Sequence, residues 1–191
     1  GFSINRSTLK EFSLIADDWF LNQPWLSENY SYFETFFTHE TLEKANWQDF
    51  QEMGNHIHAF NSLAIAKGNA LGKPNLPIED YKRIFNYLIS KKDPINITIN
   101  NLFKKYNGEY HLPFFGESTI SELVAWAFSE KYVIYNARDT AALQFLGLKL
   151  DKIRGEKFGD KFLRYNEVLI DLRNKYEQLV GVTTETTMQL E

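Results

Sequence analysis

The sequence contains no cysteine among its 191 residues. This absence excludes a disulfide scaffold, a cysteine-ligated zinc site and a thiol nucleophile. No apolar run is long enough to cross a bilayer, and no segment has the pattern of a signal peptide. We therefore expect a cytoplasmic protein without a membrane partner. The first residue is Gly rather than Met, so we also expect the chain to be a piece of a larger protein.

An excess of positive charge is also missing, since the net charge is −4. The charge is unevenly distributed: residues 1–60 hold 3 Lys/Arg against 9 Asp/Glu, and residues 61–191 hold 18 against 16. Within the second part, six cations between 149 and 164 form a locally basic run. Such a run is either a solvated helix face or an edge that faces the phosphates of a nucleic acid.

Several catalytic motifs are absent as well. The chain has no GxxxxGKS/T phosphate-binding loop, no GxSxG nucleophile elbow and no HExxH metal motif. His56 and His58 are two positions apart, so they would not share a helix face. We therefore predict no catalytic residue, no metal site and no cofactor in this chain.

The apolar residues recur at helical spacing along most of the sequence, which predicts an all-α protein. Pro24 is expected to break a first helix, and a later helix is expected to end near Gly68 before a Gly- and Pro-rich loop. Pro77 should begin a helix whose buried stripe runs from Ile78 to Leu88. A further helix or helix–turn is predicted over 95–105.

The last part of the chain adds three specific expectations. Thr119 and Glu122 have the spacing of a capping box, a short extended segment covers 132–135, and Gly147 should end a helix as its C′ residue. Apolar residues over 158–179 alternate by four and three as a heptad seam, whose expected partner is the same domain. We predict one helical domain over 1–180, or subdomains 1–70 and 75–180, followed by a polar linker or tail over 181–191.

The stretch HLPFFGESTISEL (111–123) places two adjacent phenylalanines on a turn before a helix. Two neighbours on a turn seldom both point inward. Phe114 and Phe115 either fill the core, as a staple for the next helix, or are presented to a partner.

Residues 112–148 resemble the helix-hairpin-helix of base-excision DNA glycosylases, which reads roughly LPGVGxKTA and continues through V-D-x-H-V to LGL. The resemblance implies a helix-hairpin-helix fold within residues 95–180. In that family the hairpin glycines let backbone N–H groups approach a DNA phosphate, a hairpin lysine can be the nucleophile, and an aspartate is essential to the chemistry.

The chain departs from this pattern at the positions that carry chemistry. Gly116 matches the last hairpin glycine, but Phe114 stands where the first would be. Ser118 occupies the lysine position and Asn136 the aspartate position. A serine cannot form a Schiff base and an amide cannot act as an ionised carboxylate, so the resemblance implies DNA binding without base excision.

A second resemblance covers residues 60–89 and the segment GESTISELVAWAFSEKYVIYN. Both are similar to the N-terminal region of McrB-like AAA+ proteins, the nucleotide-driven components of bacterial restriction systems that act on modified DNA. This resemblance implies a DNA-recognition module that binds double-stranded DNA, with or without modified bases. The implied partners are a motor domain in the same chain and a nuclease subunit.

Two alternatives remain open. One is a regulatory module that docks on a motor or partner protein, favoured by the acidic start and the heptad seam. The other is a divergent glycosylase whose carboxylate is supplied elsewhere, for example by Asp139. Asn136 can equally be a helix N-cap, and Arg138 can pair with Asp139 or Glu130 instead of phosphate. The predicted DNA-contacting residues are Phe114, Phe115, Gly116, Glu117, Ser118, Lys131, Asn136, Arg138, Lys152, Arg154 and Lys157.

Overall fold

The computed structural model describes residues 23–61, 64–135, 143–144, 147–148 and 150–181. These residues are helical or irregular and none lies in a strand, which confirms the all-α prediction for them. Helices with defined bounds are Pro24–Phe36 (α1), His39–Lys44 (α2), Trp47–Asn55 (α3), Ala64–Leu71 (α4), Ile78–Ile89 (α5), Ile95–Asn101 (α6), Glu117–Ala127 (α7) and Phe158–Val180 (α8). Single 3₁₀ turns cover His58–Phe60 and Lys104–Tyr106.

Aromatic rings fill the core between α1, α3, α5 and α7. Phe33 of α1 stacks on Trp126 of α7 with centroids 5.3 Å apart. Phe36 meets Phe50 and Phe85 edge to face, at 6.0 and 6.1 Å. Such rings bury large apolar areas and add geometric preference to the packing. The aromatic richness of the sequence therefore serves mainly the core.

The long helix α8 packs on the short helix α6. Its apolar seam is buried, which confirms that the predicted heptad seam faces the same domain. The two backbones approach closely at Gly159, where a Cβ atom would overlap the carbonyl oxygen of Asn96. The Gly159 N–H also donates to the Asn100 side chain at 2.9 Å. The buried seam residues are Phe158, Phe162, Tyr165, Leu169, Leu172 and Tyr176.

A buried asparagine ties residues 132–135 to α8. Asn166 accepts the N–H of Val133 at 2.8 Å and donates to the carbonyl of Phe162 at 3.0 Å. Both polar ends of this buried amide are therefore satisfied. Tyr132 and Tyr135 are buried in the same segment, as the apolar pattern of the sequence predicts.

One predicted helix boundary needs correction, and one is confirmed. Pro24 begins α1, where the N–H that proline lacks is not needed; the preceding helix that it is predicted to break lies outside the described residues. Helix α4 passes through Gly68 and ends at Leu71, because Leu71 is buried against Gly54 and Gln51 Nε2 donates to its carbonyl at 3.0 Å. Gly147 has φ of 80° and the paired backbone bonds of a C′ glycine, as predicted.

Candidate nucleic-acid interface

The turn before α7 places a bulky residue in a conformation that favours glycine. The Phe115 N–H donates to the Leu112 carbonyl at 3.4 Å, so Pro113 and Phe114 are the central residues of the turn. Phe114 has φ of 64°. A type II turn has this arrangement, with Pro first and a positive φ second, and the second position is normally Gly or Asn. A phenylalanine there is strained.

The two phenylalanines of this turn point in opposite directions. Phe115 is 5% exposed and packs edge to face on Phe60 at 5.5 Å. Phe114 is 62% exposed. One ring therefore fills the core and pins the turn, while the other is presented to solvent. Phe115 is not available for the DNA contact that the sequence assigned to it.

Helix α7 begins at Glu117, not at the predicted capping box. Gly116 is its N-cap residue and no side chain caps it. Thr119 and Glu122 are both buried inside the helix, because the closed turn leads directly into helical backbone after Gly116. The first N–H groups of a helix have no intrahelical partner and carry partial positive charge. This N-terminus, with exposed Gly116 and Ser118, can therefore attract an anion.

Lys105 contacts the first residue of this helix, and two further lysines lie over rings of the elements linked to it. Lys105 Nζ contacts Glu117 at 2.8 Å, and Lys105 and Lys157 both lie over the ring of Tyr106, at 5.0 and 5.7 Å. Lys161 lies 4.7 Å from the ring of Tyr135. We call the surface formed by Lys105, Lys157, Lys161 and the N-terminus of α7 the lysine face.

Two hydrogen bonds hold the parts of the lysine face together. The Phe158 N–H donates to the Tyr106 hydroxyl at 2.9 Å, which joins the start of α8 to the Lys104–Tyr106 turn. The Ser121 hydroxyl lies 3.0 Å from the Tyr135 carbonyl, which joins α7 to the segment beneath Lys161. The positive groups are thus mounted on elements that contact one another.

The ammonium group of Lys105 already has a partner within the protein, the carboxylate of Glu117. Burial alone lowers the pKa of Lys105, but the hydrogen bond and the charge of Glu117 outweigh it, so the pKa of this lysine is raised. Lys105 stays cationic at neutral pH. The carboxylate of Glu117 lies beside it on the same face, so it opposes any phosphate that approaches.

The remaining predicted contact residues do not all join the lysine face. Lys131 follows the far end of α7, about 16 Å along a helix of 11 residues. Lys152 and Arg154 are exposed in the segment that leads to Lys157. Asn136 and Arg138 lie outside the described residues.

The predicted DNA-contacting residues include neither Lys105 nor Lys161, although the sequence allows Lys104 and Lys105 to be either phosphate contacts or solvated surface. Lys161 belongs to the basic run, but nothing local distinguishes it from Arg164. Arg164 forms a paired contact with Glu156, at 2.6 and 2.8 Å, and is therefore engaged within the fold. Lys105 is distant in sequence, and its place beside Glu117 depends on how the chain folds back.

Helix α7 also carries a buried carboxylate, that of Glu122. Glu122 is 1% exposed and accepts N–H groups from His58 at 2.6 Å, Ala59 at 2.7 Å and Trp126 at 3.1 Å. Burial raises the pKa of Glu122, and these N–H donors offset the rise only in part. The Glu122 carboxylate is engaged by three N–H donors of the protein itself, which argues for a structural role.

The C-terminal end of α7 borders a groove of about 800 Å³. Helices α1 and α5 also end beside it. Lys91 and Lys131 lie at its edge, over the rings of Phe128 and Tyr132 at 5.9 and 5.3 Å. The groove is lined mainly by aromatic and charged side chains, among them Tyr30, Phe33, Glu34, Phe37, Asp93, Trp126 and Glu130.

No family model, curated protein or solved structure matches the chain. Among the described residues, no group of His, Asp or Glu is arranged to hold a metal ion. Within the same residues, no helix has the length and apolarity required to cross a membrane.

Proposed function

We propose that this chain is a non-catalytic DNA-binding module. The observation that carries the proposal is the lysine face: Lys105 contacts the first residue of a helix whose N-terminus no side chain caps, and Lys157 and Lys161 lie over rings of the elements linked to it. Lysine side chains and the N-termini of helices often bind phosphate groups. Contacts with phosphates supply most of the affinity of sequence-independent DNA binding.

The conformation of Phe114 supports the resemblance to a DNA-binding hairpin. Phe114 occupies the position of the first hairpin glycine, and its φ of 64° is one that glycine adopts without strain. Gly116, at the position of the last hairpin glycine, has open space around its Cα, so a phosphate could approach the backbone there. Helix α6 and α7 are joined by the Lys104–Tyr106 turn and an irregular segment, which is a longer link than a tight hairpin.

We further propose that the module belongs to a McrB-like restriction protein. The motor would lie in the same chain and DNA cleavage in a nuclease subunit, so this module would contribute only DNA recognition. The departures at Ser118 and Asn136 support binding without base excision.

A pair of double variants tests the proposal with matched charge. Lys105 and Lys157 are replaced by Ala in the test variant, and Lys44 and Lys73 in the control. The control lysines are exposed, Lys44 on α2 and Lys73 in the irregular segment between α4 and α5, and neither segment contributes to the lysine face. Binding of labelled duplex DNA, methylated or not, is measured by fluorescence anisotropy over a range of salt concentrations.

We expect the test variant to bind DNA more weakly at every salt concentration. Its plot of log affinity against log salt should be shallower by about one unit per lysine removed, as expected for lost phosphate contacts. The control variant should behave as the unmodified chain. Equal losses in the two variants, or no salt-dependent binding at micromolar protein, would contradict the proposal.

A second candidate function is docking on a partner protein through the groove beside α7. Its aromatic walls and its charges of both signs suit a peptide segment of a motor or nuclease subunit. Replacing Lys91 and Lys131 by Glu should abolish binding of such a purified subunit and leave DNA binding unchanged. Loss of DNA binding in this variant, with subunit binding intact, would rule out docking at the groove.

A further inference from the structure

We propose that the lysine face prefers nucleic acid with unpaired bases, and that the ring of Phe114 stacks on one such base. This inference rests on the proposed DNA-binding function and specifies the form of DNA that the face accepts. Three observations carry it: the exposure of the ring, its strained backbone and its place three residues before Glu117, which contacts Lys105.

The exposed ring of Phe114 is not explained by the stability of the fold. A left-handed φ is unfavourable for a bulky residue, and glycine would occupy the position without strain. The ring is 62% exposed, so the fold gains little packing that would offset the strain. Strained residues of this kind are concentrated at binding sites. The ring is therefore a candidate contact for a ligand.

The position of Phe114 relates the ring to the phosphate-binding groups. Two residues separate it from Glu117, the first residue of α7, whose carboxylate meets Lys105 at 2.8 Å. A nucleotide held by its phosphate at the helix N-terminus would thus have its base within reach of the turn. Aromatic rings beside a positively charged surface are the usual platform for single-stranded nucleic acid.

The size of the lysine face favours unpaired bases over a long duplex. Three lysines neutralise few phosphates, and the net charge of −4 opposes the approach of an extended duplex. The faces of bases inside a duplex are covered by their neighbours, so a ring on a turn can stack on them only after they separate. Single strands offer base faces at no such cost.

Three labelled probes of equal length separate the contributions of base and phosphate. The probes are an oligothymidylate, a blunt duplex, and a single strand in which every base is removed. The last probe keeps the phosphates but offers nothing to stack on. The 191-residue chain is compared with Phe114→Gly, Phe114→Leu and the control Ile65→Ala, since Ile65 is 82% exposed on α4.

We expect the unmodified chain to bind oligothymidylate more tightly than the duplex or the base-free strand. Phe114→Gly should weaken binding to oligothymidylate by about 5- to 100-fold, the range that one stacked base supplies. Phe114→Leu should weaken it as well, because an aliphatic side chain cannot stack. Binding to the base-free strand should be unchanged in both variants, and Ile65→Ala should leave all three affinities unchanged.

The possible failures are distinguishable. Binding of all three probes with equal affinity, or unchanged oligothymidylate binding by Phe114→Gly, would overturn the preference for unpaired bases and leave the proposed DNA binding intact. A duplex affinity that Phe114→Gly lowers more than the oligothymidylate affinity would assign the ring to a wedge in paired DNA instead. Absence of binding to every probe would overturn both this inference and the proposed function.

Discussion

The carboxylate of Glu122 accepts the backbone N–H of His58 at 2.6 Å, although 64 positions separate the two residues in sequence. The same carboxylate accepts the N–H of Ala59 at 2.7 Å, so it caps the start of the His58–Phe60 turn. A carboxylate on α7 therefore does for a distant 3₁₀ turn what an N-cap residue does for its own helix. Phe60, in that turn, supports Phe115, so this contact also positions the turn that presents Phe114.

Replacing Glu122 by Gln should destabilise the protein. The Gln side chain has one carbonyl acceptor in place of two carboxylate oxygens, so at least one buried N–H of His58 or Ala59 loses its partner. We expect the free energy of unfolding to fall by about 1–3 kcal/mol, the cost of leaving a buried donor unsatisfied. Urea denaturation measures the change. Glu43→Gln, at an exposed position, should change stability little; equal effects of the two substitutions would contradict the structural role of Glu122.

The same substitution should change how stability depends on pH. Burial raises the pKa of Glu122 above its ordinary value of 4.5, so the native state binds more protons than the unfolded state in the range just above that value. The contribution of this group to stability is then complete below pH 4.5 and is lost as pH rises through the raised pKa. We expect the unmodified chain to lose stability relative to Glu122→Gln over this range. The quantity to follow is the free energy of unfolding of the unmodified chain minus that of Glu122→Gln. If this quantity rises with pH or stays constant, the raised pKa of Glu122 is contradicted.

Adjacent phenylalanines should respond in opposite directions to truncation. Phe114→Gly should raise the free energy of unfolding by about 1 kcal/mol, because release of roughly 1–3 kcal/mol of backbone strain outweighs the added entropy of the unfolded chain. Phe115→Ala should lower it by about 3–5 kcal/mol, since it empties a buried site against Phe60. Thermal and urea unfolding of both variants provide the test. Destabilisation by Phe114→Gly would show that the exposed ring supports the fold after all.

Two glycines should likewise be distinguished by alanine substitution. A methyl group at Gly159 would overlap the Asn96 carbonyl where α8 crosses α6, so Gly159→Ala should cost at least 1–3 kcal/mol, about the range for overpacking. Gly68 lies inside α4 with open space around it. Gly68→Ala should therefore stabilise the protein by about 0.5–1 kcal/mol through helix propensity. Similar effects at both positions would contradict the close approach of α6 and α8.

The features that were predictable from sequence are those that short-range patterns determine. The stripe from Ile78 to Leu88 repeats every three or four residues, and three of its predicted positions, Tyr81, Phe85 and Leu88, are fully buried in α5. The seam of α8 follows the same rule over a longer range. Gly147 was predictable because a helix C-terminus needs a residue that tolerates positive φ.

The features that could not be predicted depend on contacts between distant residues. The spacing of Thr119 and Glu122 predicts a capping box. Instead, the Glu122 carboxylate accepts N–H groups from His58 and Ala59, which are far away in sequence. The lysine face likewise depends on Lys105 meeting Glu117 after an irregular segment folds back. No local pattern records which of two neighbouring phenylalanines faces the core, because this is decided by Phe60.

Replacing Glu117 by Gln should strengthen DNA binding, in contrast to the lysine substitutions. Glu117 holds Lys105 in an ion pair and places a negative charge at the N-terminus of α7, where the proposed phosphate would bind. Removing that charge frees the lysine and ends the repulsion, so we expect affinity to rise by about 2- to 10-fold at low salt, as for one exposed charge contact. The gain should shrink as salt is added, because exposed charges are screened.

The matched control for this prediction is Glu79→Gln. Glu79 is also exposed and also pairs with a lysine, Lys82, at 3.2 Å, but it lies on α5 and contributes nothing to the lysine face. The two variants therefore carry the same net charge and differ only in where the charge is removed. Fluorescence anisotropy with one labelled oligonucleotide should show a gain for Glu117→Gln and little change for Glu79→Gln. An equal gain in both would mean that net charge governs binding, and DNA would then have no defined site at the start of α7.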